Sequence, residues 1–305
     1  MGTMLREIFS HVRAFLVAVM VTVLTVIGLV PLLLAALLKL VVPIPAFRRF
    51  CAKVVLTIAE WWVEANRATA GRLIRPHWDI RGDYEVSRDR SYIAIVNHQS
   101  WVDIPALLEV FNRRAPFFKF FLKQELIWVP LLGLAWWALD YPMLKRYSKE
   151  TLKKHPGLKG RDLEKTRAAC EKTRGVPQTV VSFPEGTRFT PEKHRRQDSP
   201  YRHLLTPRAG GVAFALAAIG DQIDRVLDVT IHYPHGTPTM WQLLQNRVPR
   251  IVVYVRQYPL EPEHFQGDYR EDPEFRARFQ AWINDIWQEK DRQIEALTRE
   301  DRAEQ

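Results

Sequence analysis

A run of 25 uncharged and mostly apolar residues, Ala14–Leu38, is the feature of this sequence that most restricts how the chain can fold. A helix needs roughly 20 apolar residues to cross a bilayer, so this run is long enough to be embedded in a membrane. Gly28 and Pro31 lie near its middle and could break the helix to form a re-entrant hairpin. Basic residues flank the run on both sides, so the positive-inside rule does not decide between a spanning helix and a re-entrant hairpin.

The next apolar stretch, residues 50–72, is predicted to form a second helix. Charged residues such as Lys53 and Glu60 interrupt it, and Trp61 follows directly. A helix with this density of charge is expected to lie along a membrane interface or to pack on a folded domain, but not to span. We therefore predict an N-terminal, membrane-anchoring helical region over residues 1–74.

Short apolar strands alternate with helical stretches beyond this region, which predicts an α/β domain. The predicted strands are residues 78–81, 92–96, 117–122, 179–183, 226–233 and 251–255. We expect these strands to form a mixed, mostly parallel sheet flanked by helices, within a catalytic domain that covers residues 75–262.

The remaining residues, 263–305, are predicted to form a C-terminal amphipathic helix. Asp272 and Pro273 suit the start of a helix, because aspartate caps it and proline is tolerated at the first helical position. Apolar residues then recur at helical spacing along one stripe: Phe275, Phe279, Trp282, Ile283, Ile286 and Trp287. This stripe could dock on the α/β domain or contact a membrane.

The charge balance indicates an anionic partner. The chain has 44 Lys and Arg residues against 34 Asp and Glu residues, a net charge of +10. Such an excess suits an anionic membrane or a phosphate-bearing ligand. The glycine-rich loops of nucleotide-binding proteins are absent and no nucleic-acid module is recognisable, so we expect no nucleic-acid partner. Cys51 and Cys170 have no paired spacing, and we predict neither a disulfide framework nor a bound metal.

A polar block, Asn97–Asp103, lies between a strand-like run and an apolar run that reads as a helix. His98 could take a proton from a hydroxyl group, and Asp103 could orient the imidazole and stabilise its positive charge. Positions five apart on a helix differ by about 140° around its axis, so the pair converges only if His98 lies in the turn and Asp103 begins the helix. Pro105 fits this arrangement, because proline is tolerated in the first helical turn.

A second block, Phe183–Arg188, follows the strand-like run Thr179–Ser182. Arg188 is a candidate for binding phosphate, because a guanidinium group can bind phosphate oxygens in bidentate fashion. Gly186 lets the backbone come close to a ligand. Glu185 could fix Arg188, bond a substrate hydroxyl, or form an ordinary surface salt bridge.

Further cations could contribute to the same site. Lys123 and Arg146 each follow an apolar run and could bind phosphate or be ordinary surface charges. A basic loop from Lys193 to Arg208 could attract an anionic ligand, touch membrane headgroups or simply face solvent. No Gly-x-Ser-x-Gly sequence is present, so a serine-hydrolase mechanism has no motif to support it.

The two blocks, in this order and about 80 residues apart, resemble those of the glycerolipid acyltransferase family. This family includes the 1-acylglycerol-3-phosphate and lysophospholipid acyltransferases of bacterial inner membranes. The resemblance covers roughly residues 75–260 and implies that His98 and Asp103, in the Asn-His-x4-Asp block, are catalytic. The residues that it implies in substrate binding are Glu185, Gly186, Thr187, Arg188, Lys123 and Arg146.

The resemblance implies a membrane-bound enzyme that transfers a fatty acyl group to the sn-2 hydroxyl of 1-acylglycerol-3-phosphate or a related lysophospholipid. The donor would be acyl-CoA or acyl carrier protein, with no other cofactor. An anionic membrane is the expected partner, and the expected location is the cell inner membrane with the catalytic domain facing the cytoplasm. A lysocardiolipin-like remodelling enzyme and a non-catalytic, membrane-tethered protein that binds anionic lipid are the alternatives.

Overall fold

The computed structural model describes residues 2–120, 122–141, 143–144 and 175–304. The helices are α1 (Gly2–Val41), α2 (Pro45–Ala70), α3 (Asp103–Phe111), α4 (Leu132–Ala138), α5 (Pro191–Gln197), α6 (Gly210–Ile219), α7 (Met240–Leu244) and α8 (Pro273–Glu304). The strands are β1 (His77–Arg81), β2 (Ser91–Val96), β3 (Phe118–Phe120), β4 (Leu122–Lys123), β5 (Met143–Leu144), β6 (Thr179–Ser182), β7 (Ile223–His232) and β8 (Arg250–Pro259). Short 3-10 turns occupy Gln124–Trp128, Gly220–Gln222 and Pro262–His264.

The chain divides into two compact units. The first contains residues 1–77, 122–141 and 238–249, and the second contains residues 78–121, 142–237 and 250–305. Helices α1, α2, α4 and α7 belong to the first unit, whereas the large β-sheet and helix α8 belong to the second.

Helix α1 continues without interruption through Gly28 and Pro31, so the break that the sequence left open at these residues does not occur. Helix α2 folds back and packs along α1, and the Trp62 Nε1 donates a hydrogen bond to Thr25 Oγ1 at 3.0 Å. Gly28 lies against the rings of Trp61 and Trp62, and a Cβ built there would be 3.7 Å from each, an ordinary packing distance. This packing supports α1 next to the proline, and the chain reverses only after Val41.

The surface of helix α1 is unusually apolar. Residues 4–41 are long and apolar enough to cross a membrane, and only 22% of the most apolar window is buried. Large exposed side chains occur along its whole length, among them Phe9, Phe15, Val30 and Leu40. Soluble proteins rarely expose a continuous apolar surface of this kind, and by length and composition α1 is a candidate membrane-spanning helix.

The second unit is built on a six-stranded sheet with the order β1-β8-β7-β2-β6-β3. Strand β2 is parallel to both β6 and β7, β3 is parallel to β6, and β7 is antiparallel to β8. The prediction of a mixed, mostly parallel sheet is confirmed. The central strand β2 is buried on both faces, as a sheet covered by helices requires.

Helix α8 covers one face of this sheet. Asp272 caps it, because its Oδ1 accepts hydrogen bonds from the backbone N–H groups of Glu274 and Phe275 at 2.9 and 3.0 Å. The predicted apolar stripe of α8 is buried against the sheet and helix α6, with Trp282 partly buried at its edge. The stripe therefore docks on the α/β domain, which is one of the two arrangements that the sequence allowed.

Candidate active site

Three neighbouring parallel strands end at the same edge of the sheet, and each is followed by residues of the candidate site. Strand β2 is followed by Asn97–Asp103, β6 by Phe183–Arg188, and β7 by Tyr233. The carboxyl ends of parallel strands are the usual place for a site in an α/β sheet, because the chain leaves the sheet there and side chains can converge.

His98 and Asp103 form a hydrogen-bonded pair, with 2.8 Å between His98 Nδ1 and Asp103 Oδ2. His98 lies in the turn after β2 and Asp103 is the first residue of α3, which is the arrangement that their spacing requires. The same Oδ2 accepts hydrogen bonds from the backbone N–H groups of Gln99 at 2.8 Å and Ser100 at 2.9 Å. Because an ionised carboxylate can only accept, Nδ1 carries a proton in this arrangement and the Nε2 lone pair is left available.

Tyr233 satisfies the other oxygen of Asp103. Its hydroxyl donates to Asp103 Oδ1 at 2.6 Å, and both side chains are buried. Burial, followed by the charge of Asp103, raises the pKa of Tyr233 well above its ordinary value, so the phenol remains a donor. The sequence did not single out Tyr233 as a site residue, although its place directly after an internal parallel strand was a usable signal.

Asn97 joins the end of β2 to β7. Its side chain is buried, with Nδ2 donating to the Ile231 carbonyl at 2.9 Å and Oδ1 accepting from the Ile231 N–H at 2.8 Å. Gln99 Nε2 donates to the same Ile231 carbonyl at 3.1 Å. These bonds fix the residues on both sides of His98, so the backbone that carries the imidazole is held rigidly.

The second block packs directly on the first. The ring of Phe183 stacks on His98 with 4.3 Å between ring centroids, and the Phe189 N–H donates to the His98 carbonyl at 2.7 Å. Gly186 has a φ of +67°, a left-handed conformation that glycine adopts without strain, and the block turns sharply there. The guanidinium carbon of Arg188 lies 5.2 Å from the centroid of the Trp101 ring, which belongs to the first block. The two blocks therefore form one site, with Arg188 exposed at its surface.

Glu185 is buried, so the surface salt bridge considered for it is wrong. Its Oε1 accepts from the His98 N–H at 3.2 Å, and its Oε2 accepts from the Leu205 N–H at 3.4 Å. Burial raises the pKa of Glu185 to about 8, since these two long hydrogen bonds compensate only partly for the lost hydration. A direct bond from Glu185 to substrate stays a prediction, whereas its contact with the backbone of His98 is observed.

The raised pKa of Glu185 predicts a particular dependence of stability on pH. In the unfolded chain this carboxyl has its ordinary pKa of 4.5, so its contribution to stability is fully present below that pH and is lost as pH rises through about 8. Glu185→Gln cannot ionise and should not show this loss. We expect the unfolding free energy of the native protein, relative to that of Glu185→Gln, to fall between about pH 5 and pH 9 in urea titrations.

Subtracting the unfolding free energy of Glu185→Gln from that of the native protein removes the contributions of all titrating groups that the two proteins have in common. A difference in unfolding free energy that stays constant, or that rises with pH, would contradict the raised pKa of Glu185.

Two of the predicted binding residues cannot be placed in the site. Arg146 and the side chain of Lys123 lie outside what the structure describes, so their roles stay predictions. Thr187 is placed, and its Oγ1 accepts a hydrogen bond from Lys193 Nζ at 2.7 Å. Within the described residues, no group of three or more His, Cys, Asp or Glu side chains is arranged to hold a metal ion.

Fold and site together define an α/β domain with a His–Asp pair, in which the aspartate is buried and the histidine partly exposed, and an exposed arginine in the adjoining block. The family model described as Acyltransferase matches residues 77–233, just over half of the chain, and this range includes both blocks and Tyr233. The chain belongs to the acyltransferase family.

Curated relatives agree with this assignment. The chain is 25% identical over 251 residues to the 1-acyl-sn-glycerol-3-phosphate acyltransferase delta of Homo sapiens, covering 78% of this chain and 59% of that protein. It is 26% identical over 184 residues to the gamma protein of Mus musculus, covering 57% of this chain and 44% of that protein. The chain thus spans about three fifths of the length of the delta relatives.

The fold is similar to the crystal structure of the 1-acyl-sn-glycerophosphate (LPA) acyltransferase PlsC from Thermotoga maritima. The TM-score is 0.55 at 17% sequence identity, and the match covers 95% of this chain and 98% of that one. At this identity the likeness supports the fold alone.

Proposed function

We propose that this protein is a membrane-bound acyltransferase that moves a fatty acyl group from a thioester donor, acyl-CoA or acyl carrier protein, to the sn-2 hydroxyl of 1-acylglycerol-3-phosphate or a related lysophospholipid. The observation that carries the proposal is the His98–Asp103 pair at 2.8 Å, with Arg188 held beside it on Trp101. The names of the relatives, which are 1-acyl-sn-glycerol-3-phosphate acyltransferases, support the same acceptor.

His98 acts as the general base. Its Nε2 has no hydrogen-bond partner among the described residues, and 20% of its side chain is exposed, so an acceptor hydroxyl can approach. Nε2 takes the hydroxyl proton while the oxygen attacks the thioester carbonyl carbon, and Asp103 stabilises the imidazolium that forms. Collapse of the tetrahedral intermediate breaks the C–S bond, and the proton passes to the leaving thiolate. The products are the ester and the free thiol.

Arg188 holds the acceptor phosphate in this mechanism. A guanidinium group can bind two phosphate oxygens, and stacking over Trp101 restricts its orientation. In 1-acylglycerol-3-phosphate the free hydroxyl and the phosphate are on adjacent carbons. A cation and a base in neighbouring blocks therefore match the two groups of the acceptor that must be held together.

Helix α1 supports the membrane part of the proposal. Its apolar side chains are exposed along a helix long enough to cross a bilayer. Both the acceptor and the product are lipids, so anchoring at the surface of the membrane gives the enzyme direct access to them. The proposed location is the inner membrane, with the second unit on the cytoplasmic side.

The proposal is tested with purified protein, labelled acyl-CoA or acyl carrier protein, and a panel of acceptors in mixed micelles. We expect labelled phosphatidate from 1-acylglycerol-3-phosphate, and the label should be released by an sn-2-specific lipase. Transfer only to lysocardiolipin would identify the remodelling alternative. Binding of anionic lipid with no acyl transfer to any acceptor would refute the enzymatic proposal.

The role of Arg188 leads to a separate prediction. Arg188→Ala should raise the KM for 1-acylglycerol-3-phosphate by about 10- to 100-fold, the range expected for loss of hydrogen bonds to a charged group. Arg188→Lys keeps the charge but loses the planar fork, so its KM should be intermediate. Steady-state kinetics with the acceptor varied at saturating acyl-CoA measures both. An unchanged KM in Arg188→Ala would show that the phosphate binds elsewhere.

A further inference from the structure

We propose that Lys193 is a second phosphate-binding residue of this site and that it favours acceptors with a phosphate monoester. The inference rests on the proposed function and adds to it a determinant of headgroup specificity. Sequence reasoning placed Lys193 only within a basic loop. The structure instead folds its ammonium group back onto the turn that carries Arg188.

The position of the ammonium group is fixed from two sides. Lys193 Nζ donates to Thr187 Oγ1 at 2.7 Å and to the Arg188 carbonyl at 2.9 Å. The backbone N–H of Lys193 donates to the Thr190 hydroxyl at 3.2 Å, which caps helix α5. The side chain of Lys193 is thus bound to the Pro-Glu-Gly-Thr-Arg turn and its backbone to Thr190 just after that turn, and the side chain is half-buried there.

The charge of Lys193 is not neutralised by its contacts. Both oxygens that accept from Nζ belong to neutral groups, and the described residues place no carboxylate within ion-pair distance of it. An ammonium group has three hydrogens, so one remains to donate. Thr187 Oγ1 already accepts from Lys193, which leaves the hydroxyl hydrogen of Thr187 free to donate as well. Such a set of donors around an uncompensated charge is suited to an anion.

The chemistry of these donors selects among possible ligands. Arg188 and Lys193 together offer two positive charges on one loop, where the Lys193 ammonium group is bonded to the Arg188 carbonyl. A phosphate monoester carries close to two negative charges at neutral pH, whereas a phosphodiester carries one. The second cation therefore contributes most to a monoester such as 1-acylglycerol-3-phosphate and less to a diester such as lysophosphatidylglycerol.

The test compares the full-length native protein with Lys193→Met in two measurements. The first is the affinity for glycerol 3-phosphate by isothermal titration calorimetry, which requires no catalysis. The second is the KM for 1-acylglycerol-3-phosphate and for lysophosphatidylglycerol. We expect Lys193→Met to weaken glycerol 3-phosphate binding and to raise the monoester KM by about 10-fold or more. The diester KM, kcat and the KM for acyl-CoA should change by less than about threefold.

Two further variants separate charge from folding. Lys193→Arg keeps a cation and should retain affinity for glycerol 3-phosphate within a few-fold, whereas Lys193→Gln should lose it as Lys193→Met does. Arg225→Met removes a positive charge at the opposite end of strand β7 and should leave the affinity unchanged. Thermal unfolding of each variant checks that it folds.

Equal affinity for glycerol 3-phosphate in the native protein and in folded Lys193→Met would overturn the proposal, as would the absence of binding to the native protein. An equal rise in KM for both acceptors would overturn the specificity. Binding that depends on Lys193 in a protein that transfers no acyl group would support this inference while refuting the acyltransferase proposal. Failure of the Lys193 inference and failure of the acyltransferase proposal therefore give different results.

Discussion

His98→Ala should lower kcat for acyl transfer by about 10²- to 10⁴-fold, the usual contribution of a positioned general base. The variant should remain folded, because the hydrogen bonds that define the turn are made by Asn97, the backbone and Asp103 rather than by the imidazole alone. Initial rates at saturating acyl-CoA and acceptor measure the loss, and urea denaturation measures the fold.

The matched control is His264→Ala, in which the lost ring stacks on Trp282 at the edge of helix α8 and has no part in the proposed chemistry. Its kcat should stay within about twofold of the native value. Full activity in His98→Ala would refute the proposed base.

Asp103→Asn is a less specific test, because Asp103 also accepts hydrogen bonds from two backbone N–H groups and from Tyr233. The substitution therefore disturbs the turn as well as the tautomer of His98.

Asp228→Ala should lower the unfolding free energy by about 3–5 kcal/mol, because it leaves a buried lysine without its counter-charge. Lys290, on helix α8, is fully buried and its Nζ donates to Asp228 Oδ1. It also donates to the Val229 carbonyl at 2.6 Å and to the Ile95 carbonyl at 3.4 Å. Burial lowers the pKa of Lys290 and the charge of Asp228 opposes this shift, so removing Asp228 favours a neutral lysine.

Urea denaturation measures the loss, and Asp224→Ala on the same strand is the matched control. Asp224 makes a surface ion pair with Arg90 at 3.4 Å, and such pairs contribute about 0–1 kcal/mol. The double variant Asp228→Leu with Lys290→Met should recover much of the loss, since it removes both buried charges. A loss in Asp228→Ala no greater than that in Asp224→Ala would show that the buried pair adds little to stability.

Much of the fold follows from local patterns in the sequence. The strands of the sheet were predicted because buried strands are short apolar runs, and the start of helix α8 because aspartate and proline mark it. The adjacency of His98 and Asp103 follows from their spacing, which allows contact only across a strand-to-helix turn.

The environments of Glu185 and Lys290 could not be predicted in this way. Whether a carboxyl after a strand faces solvent or the interior depends on residues distant in sequence, here Leu205 for Glu185. The counter-charge of Lys290 lies 62 positions away on another element. The sequence alone could not decide whether Pro31 breaks α1 for a similar reason, because packing against α2 outweighs the propensity of one residue.

The position of β1 beside β8 has a consequence for how the protein is made. The ribosome delivers β1 early, but its neighbour in the sheet begins only at Arg250. Until β8 is synthesised, the nascent polypeptide therefore carries an incomplete sheet, while the apolar α1 has already been made. Unpaired strands are prone to mispairing, so co-translational protection by chaperones would matter most before β8 is synthesised.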